Sequence, residues 1–193
     1  MPNLQAYKTK VAEQKGEVRR HNFDEVCLGY TLDEAINEAR RCLNCKDPRC
    51  VKACPVNVKI PQFLARLASG DVDGAYDVIS ETNARPAVCG RVCPQETQCE
   101  GSCVRGIKGE SVAIGRLERF AADHASAKNP VATAKTIGKK VAVIGSGPAG
   151  LACAGDLNRA GSDVTVFEAF HTAGGVLVYG IPEFRLPKAI VKK

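Results

Sequence analysis

Two short cysteine-rich runs decide how this chain folds. The first, CLNCKDPRCVKACP, covers residues 42–55, and the second, CGRVCPQETQCEGSC, covers residues 89–103. Thiolate sulfur is a soft ligand that suits iron–sulfur clusters, zinc and copper(I). Zinc sites usually pair two short cysteine segments separated by a dozen or more residues, whereas the first run places four cysteines within thirteen residues. The spacing therefore favours iron–sulfur clusters over zinc or unligated thiols.

The proline that closes the first run indicates how the sulfurs are shared. In ferredoxin-type runs, three close cysteines bind one cluster and a fourth cysteine, before proline, reaches another. The central gap here is four residues rather than two. The run therefore shares the order of cysteines and proline with the ferredoxin type but not its spacing. We expect Cys42, Cys45 and Cys50 to bind one cluster, while Cys54 leads to a second site. The second run offers four further candidates that spacing alone does not assign: Cys89, Cys93, Cys99 and Cys103.

Composition excludes several classes of protein. The 193 residues include ten cysteines, nine of them before residue 104, and carry a net charge of +6. The N-terminus has no apolar signal-peptide core, and no apolar run approaches the ~20 residues of a membrane span. We therefore expect a soluble, cytoplasmic protein whose clustered cysteines bind metal rather than form disulfides. The basic residues near the N-terminus lack interleaved aromatic side chains, which favours a solvated arm over nucleic-acid or membrane binding.

Helix and linker signals divide the chain into four regions. They are an N-terminal arm over residues 1–30, a helical cluster domain over 31–128, a linker over 129–140 and the truncated start of an α/β domain over 141–193. A capping box from Thr31 to Glu34 opens a helix that delivers Cys42 at its end. Further helices are predicted over residues 61–70, 71–82 and about 111–127.

The stretch VAVIGSGPAGL predicts a phosphate-binding turn between a strand and a helix. Its G-x-G-x-x-G pattern is made of Gly145, Gly147, Pro148, Ala149 and Gly150. The glycines allow a tight turn, a close approach of the backbone to a pyrophosphate and close helix packing, and the helix N-terminus adds partial positive charge. Glu168 ends the next strand, where it is placed to bond a ribose hydroxyl and disfavours a 2′-phosphate. The turn therefore predicts FAD or NAD.

Three segments together resemble one known family: CLNCKDPRCVKACP, RPAVCGRVCPQETQCEGSCVRG and AIGRLERFAAD. They are similar to the N-terminal domain of the small (beta) subunit of NADPH-dependent glutamate synthase. The same domain occurs in dihydropyrimidine dehydrogenase and in the large subunit of electron-bifurcating ferredoxin–NADP oxidoreductase. The resemblance covers about residues 30–190. It implies an α-helical double [4Fe-4S] domain followed by the beginning of a Rossmann-like FAD-binding domain.

The resemblance also implies which side chains hold the cofactors. One cluster would be bound by Cys42, Cys45, Cys50 and Cys103. The other would be bound by Cys54, Cys93, Cys99 and Glu118, with Cys89 beside them as a non-ligand. The continuation HTAGGVLVYGIPEFRLPK, which contains Gly175, is similar to the flavin-binding part of the family, so FAD is favoured over NAD.

The neighbours of Glu118 leave its role open. It shares a helix face with Ile114, Ala121 and Ala125, so it is able to project inward. A buried carboxylate without a partner is costly, and metal ligation would satisfy it. The alternative is a surface glutamate paired with Arg116 or Arg119.

For function, the resemblance implies an oxidoreductase that passes electrons from NADPH through FAD and two [4Fe-4S] clusters to the large (alpha) glutamate synthase subunit or another flavoprotein. The NADPH site is expected downstream, so this chain would be the N-terminal part of a larger flavoprotein and inactive alone. The alternatives are the large subunit of an electron-bifurcating, NADH-dependent ferredoxin–NADP oxidoreductase, a pyrimidine-reducing enzyme, and a zinc-stabilised binding module without catalytic activity.

Overall fold

The computed structural model describes residues 3–126 and 136–192, which form two compact units. The first unit extends to Ala125 and contains both cysteine runs, and the second begins at Ser126 and contains the glycine turn. The predicted end of the cluster domain, residue 128, lies outside the described residues. Of the predicted linker, residues 129–135 lie outside the described residues, and Lys140 is the first residue of a strand. No helix among the described residues is both long and apolar enough to cross a membrane.

The first unit is helical, with one short antiparallel strand pair near its start. The pair joins β1 (Ala12–Glu13) to β2 (Cys27–Gly29). The helices are α1 (Gly16–Arg19), α2 (Leu32–Ala39), α3 (Arg49–Lys52), α4 (Ile60–Ala68), α5 (Val72–Ser80), α6 (Pro86–Val92) and α7 (Ile114–His124). Single 3₁₀ turns cover Gln95–Thr97 and Val104–Ile107.

The predicted capping box at α2 is confirmed. The Thr31 hydroxyl accepts the backbone N–H of Glu34 at 3.3 Å, and the Glu34 carboxylate accepts the backbone N–H of Thr31 at 2.8 Å. Both bonds satisfy amides that would otherwise lack partners at a helix start. The helix ends at Ala39, so Cys42 lies in the segment just after it rather than in its last turn.

The helix predicted over residues 71–82 is α5, and its internal glycine has a packing reason. Asp71 caps the helix by accepting the backbone N–H of Gly74 at 2.8 Å. A β-carbon at position 74 would lie 2.2 Å from the Asp71 carboxylate, so only glycine leaves room for this cap. The helix predicted from residue 111 begins later, at Ile114, and its predicted end at residue 127 lies outside the described residues.

The core of the first unit lies between α4, α5 and α7. Its fully buried side chains are aliphatic or aromatic: Ile60, Phe63, Leu64, Leu67, Ile79 and Leu117. Each such side chain contributes on the order of 1.5–3 kcal/mol by leaving water. This core holds the loops that carry the cysteines, and several cysteines pack against its edge.

The predicted arm, residues 3–30, is ordered against the helical unit, while most of its side chains stay exposed. The fully buried Arg41 side chain donates to the backbone carbonyls of Gln5 and Ala6, at 3.2 and 3.1 Å. The buried Glu38 carboxylate accepts the backbone N–H of Thr9 at 2.6 Å. A buried charge needs several such partners, and the arm supplies them.

The second unit has the predicted strand–helix–strand order. Strands β3 (Lys140–Ile144) and β4 (Asp163–Phe167) pair in parallel, from Lys140 opposite Asp163 to Ile144 opposite Phe167. The crossover between them contains α8 (Pro148–Arg159). Two short helices follow, α9 (Val176–Tyr179) and α10 (Lys188–Val191).

Candidate metal centres and nucleotide-binding turn

One group of four thiols combines both cysteine runs. Cys42, Cys45 and Cys50 line a cavity with Cys103, which returns from the second run. Counted with the part that is open to solvent, the cavity contains about 390 Å³ of space free of protein atoms. The chain turns between the first two cysteines at Asn44, whose φ of +48° is one that asparagine tolerates better than most residues.

The surroundings of this group are apolar. The cavity is also lined by Ile60, Leu64 and Val112, all buried in the core. Burial raises the pKa of Cys42, and it raises the pKa of Cys50 to about 11. The nearby Cys103 thiol adds to both pKa increases, because two thiolates close together repel each other. Apolar burial therefore disfavours thiolates that have no metal to bind.

A second group combines the remaining predicted ligands. The pKa of Cys99 is raised to about 12, mainly by burial and also by the negative charges of Glu100, Glu118 and Cys54. The pKa of Cys93 is raised by its hydrogen bond with Cys89, by burial and by the charges of its other neighbours. The group consists of Cys54, Cys89, Cys93, Cys99 and Glu118. Cys54, from the first run, thus lies with the second run.

Glu118 faces this second group from α7. Its pKa is raised to about 8, mainly by burial and also by the charge of Cys89, although a hydrogen bond from Asn83 acts in the opposite direction. The Asn83 amide donates to Glu118 Oε1 at 2.7 Å. An inward carboxylate beside thiols is the placement that iron ligation requires.

The alternative partners of Glu118 are engaged elsewhere. Arg119 forms ion pairs with Glu25 at 3.1 Å and with Asp123 at 3.2 Å, and it donates to the Cys27 carbonyl. Arg116 lies beside the Tyr30 hydroxyl. The structure therefore contradicts the alternative of a surface Glu118 paired with either arginine.

The donor sets suit clusters in their chemistry. The first group offers four thiols in an apolar cavity, and the second offers thiols with one carboxylate. Among residues 3–126 and 136–192, no three His, Cys, Asp or Glu side chains are arranged to hold one metal ion. A cubane cluster has four irons, each taking one of its protein ligands, so this finding concerns single-ion sites only.

The glycine turn has the predicted geometry. Gly145, with φ of +93°, makes the turn after β3, and a β-carbon at Gly150 would lie 2.0 Å from the Gly145 carbonyl oxygen. A β-carbon at Gly147 would meet nothing within 4 Å, which leaves room for a ligand to approach the backbone. Gly147 precedes α8 without a side-chain cap, and the N-terminus of a helix favours an anion such as a pyrophosphate.

Gly175 and Glu168 both contact the turn. A β-carbon at Gly175 would lie 2.8 Å from the α-carbon of Gly147. The Glu168 carboxylate accepts the hydroxyl and the backbone N–H of Ser146, the latter at 2.9 Å, and the backbone N–H of Phe170 at 3.0 Å. These donors lower the pKa of Glu168 to about 2, the bond from Phe170 most. Glu168 therefore stays ionised and also braces the turn, a contact that the sequence pattern did not predict.

Comparison with known proteins decides the family. Residues 19–130 match the family model described as dihydropyrimidine dehydrogenase domain II, 4Fe-4S cluster. The chain belongs to this family. Residues 139–190 match a second model, pyridine nucleotide-disulphide oxidoreductase. Together the matches confirm an iron–sulfur domain followed by the start of a pyridine nucleotide-disulphide oxidoreductase domain.

Relatives of this 4Fe-4S family resemble the chain over most of its length. The glutamate synthase (NADPH) small chain of Escherichia coli is 40% identical over 180 residues, which is 92% of this chain and 38% of the relative. That of Azospirillum brasilense is 39% identical over 91% of this chain and 37% of the relative. The NAD-dependent dihydropyrimidine dehydrogenase subunit PreT of E. coli is 40% identical over 90% of this chain and 42% of the relative. The chain thus spans about two fifths of these relatives, and the predicted resemblance is confirmed.

Proposed function

We propose that the chain is the electron-transfer part of an NADPH-dependent, FAD-containing iron–sulfur oxidoreductase of the glutamate synthase small-subunit type. The bound groups would supply hydride transfer from NADPH to FAD and single-electron transfer through two [4Fe-4S] clusters. Electrons would leave to a large (alpha) subunit or another flavoprotein. The NADPH site would be supplied by a further part of the protein.

The observation that carries the proposal is the grouping of thiols across the two runs. Cys103 influences the pKa values of Cys42 and Cys50, and Cys54 influences that of Cys99. In the proposed ligation, one cluster is held by Cys42, Cys45, Cys50 and Cys103, and the other by Cys54, Cys93, Cys99 and Glu118. The residues then fix the positions of the clusters and exclude water, and they perform no acid–base chemistry.

The nucleotide part of the proposal rests on the turn after β3. Gly147 offers open backbone and α8 offers its N-terminal amides to a pyrophosphate. Glu168 is an ionised acceptor near the turn, which suits a ribose hydroxyl and disfavours a 2′-phosphate. Both features favour FAD at this site over NADPH.

The ligand grouping is tested by single alanine variants of the anaerobically purified chain. The unaltered chain should contain about eight irons, the content of two cubanes. Cys42→Ala and Cys103→Ala should abolish the same cluster EPR signal although they lie in different runs. Cys54→Ala should abolish the other signal although it shares a run with Cys42. Cys153→Ala, at an exposed thiol in α8, is the control and should keep both signals.

Two results would contradict the proposal. Purified protein that contains zinc and no iron would support the zinc-stabilised binding module. Loss of the same signal in Cys42→Ala and Cys54→Ala would show that each run closes its own site.

A second candidate differs in the electron acceptor and in the nicotinamide nucleotide. PreT, named as a subunit of an NAD-dependent dihydropyrimidine dehydrogenase, is as similar to this chain as the E. coli glutamate synthase small chain, at 40% identity. Sequence identity therefore does not choose between a glutamate synthase subunit and a pyrimidine-reducing partner. Affinity purification from the native cell, with identification of the co-purifying subunit and its substrate, distinguishes the two.

A further inference from the structure

Asn83 is a buried polar residue between α5 and α6 whose side chain reaches the second ligand group. Only 6% of the residue is exposed. Its amide N–H donates to Glu118 Oε1 at 2.7 Å, and the Cys89 thiol contacts its amide oxygen at 3.5 Å. Neither the cysteine spacing nor the glycine turn assigns any role to this asparagine.

The orientation of the Asn83 amide is fixed by the backbone. Its Oδ1 accepts the backbone N–H of Arg85 at 2.9 Å, which the amide nitrogen is unable to do. The nitrogen therefore points to Glu118. The hydrogen bond joins α7, which carries Glu118, to the loop that leads into α6 and so to Cys93.

A donor at this position has a specific consequence for a carboxylate ligand. One carboxylate oxygen is held by the amide, so the other is the one available to a metal. Partners of this kind orient metal ligands, and removing them commonly costs 10–100-fold in metal affinity or activity. The amide also lowers the cost of keeping a carboxylate charged in a buried place.

We propose that Asn83 positions Glu118 as a ligand, holding one carboxylate oxygen so that the other is available to the second cluster. The inference rests on the proposed function, because it assumes that Glu118 ligates iron. Asn83 is a positioning residue, and it acts only through Glu118.

Substitutions separate a purely structural role of Asn83 from its role in positioning Glu118. The bond from the Arg85 N–H to Asn83 Oδ1 is an Asx turn, which aspartate forms as well as asparagine. Asn83→Asp therefore keeps the turn and removes the donor to Glu118. Asn83→Ala removes the donor without placing a second carboxylate against Glu118, so the two variants together separate charge repulsion from loss of the donor.

The experiment compares four forms of the anaerobically purified chain: unaltered, Glu118→Ala, Asn83→Asp and Asn83→Ala. EPR spectra and midpoint potentials are recorded for each cluster. We expect Glu118→Ala and both Asn83 variants to shift the signal and potential of the same cluster. A shift in only one Asn83 variant would reflect charge repulsion or loss of the turn and would overturn the inference. The cluster held by Cys42 and Cys103 should keep its signal in every form, which shows that the unit is folded.

The outcomes separate the inference from the proposed function. One outcome is that Glu118→Ala shifts the signal of one cluster while neither Asn83 variant shifts the signal of that same cluster and leaves the other unchanged. In that case the inference is overturned and the assignment of Glu118 as a ligand stands. Loss of both cluster signals in both Asn83 variants would show that Asn83 has a structural role, and this result would also overturn the inference. If Glu118→Ala leaves both clusters unchanged, the assignment of Glu118 in the proposed function fails.

Discussion

Gly150 shows how one residue sets the distance between a helix and a strand. A β-carbon there would lie 2.0 Å from the Gly145 carbonyl oxygen and 3.5 Å from a methyl group of Val143, so α8 would have to move away from β3. Gly155, on the same helix, has no atom within 4 Å of its would-be β-carbon. Gly150 is therefore a test position for close helix–strand packing, and Gly155 is its matched control.

We predict that Gly150→Ala destabilises the second unit by about 1–3 kcal/mol, the usual cost of overpacking. Gly155→Ala should be neutral or stabilising by up to about 1 kcal/mol, because alanine favours helix more than glycine does. Limited proteolysis, with cleavages within residues 136–192 located by mass spectrometry, measures both. Equal cleavage rates in the two variants would contradict the prediction.

The buried pair of Glu38 and Arg41 is the second critical feature at this scale. Their closest atoms are 2.7 Å apart, and both side chains are 0% exposed. We predict that Arg41→Met costs about 3–5 kcal/mol of unfolding free energy, because it strands a buried carboxylate. Urea unfolding followed by circular dichroism measures the loss.

The control for Arg41 is an exposed ion pair of the same unit. Lys59 and Glu81 lie 2.6 Å apart, with both side chains 48% exposed. Lys59→Met should cost no more than about 1 kcal/mol, since water screens such a pair. An Arg41→Met variant no less stable than Lys59→Met would refute the role of the buried pair.

Single residues also show what sequence patterns reveal. Thr31 and Glu34 form a local capping box whose spacing is diagnostic, so the start of α2 was predictable. The burial of Glu38 and Arg41 was not, because charges three residues apart on a helix usually pair at the surface. Asn83 was missed for a similar reason: its partner, Glu118, is 35 positions away and gives no local signal.

At the scale of elements, α6 and α7 approach each other closely. A β-carbon at Gly90 would lie 2.5 Å from the backbone nitrogen of Arg119 and 2.8 Å from its α-carbon. The two helices are also joined where Arg91 pairs with Asp123 at 2.6 Å. This approach sets the distance between Cys93, at the end of α6, and Glu118 on α7.

We predict that Gly90→Ala lowers the iron content by about half, from about eight to about four atoms, because it separates ligands of only the second cluster. The EPR signal of the cluster held by Cys42 and Cys103 should persist. Gly106→Ala is the control, since its β-carbon would come no closer than 3.9 Å to Ser111. Full iron content in Gly90→Ala would be inconsistent with this account.

At the scale of the whole molecule, residues 3–30 are part of the first unit. Backbone groups of Gln5, Ala6 and Thr9 bond the buried charges of α2 and its C-terminal flank, and Val11 lies in the core. Charge and hydropathy predicted a solvated arm here, because these contacts are made by backbone groups that every sequence possesses. The helical domain was thus predictable from local signals, and the packing of the arm was not.

We predict that removing residues 1–11 destabilises the first unit by roughly 3 kcal/mol or more, since each hydrogen bond to a charged group is worth about 1.5–3 kcal/mol. The loss should appear as a lower urea midpoint and poorer retention of iron. Gln5→Ala is the control, because Gln5 bonds Arg41 through its backbone carbonyl. A shortened chain as stable as the full chain would show that the arm is dispensable.

The return of Cys103 to the first thiol group also fixes when that group is able to form. A ribosome makes the chain from its N-terminus, so Cys42, Cys45 and Cys50 emerge long before their fourth partner. Glu118 emerges later still, at the end of the second set. With the proposed ligands, the first set is complete only when Cys103 has left the ribosome and the second only when α7 has, so iron delivered earlier would meet incomplete ligand sets.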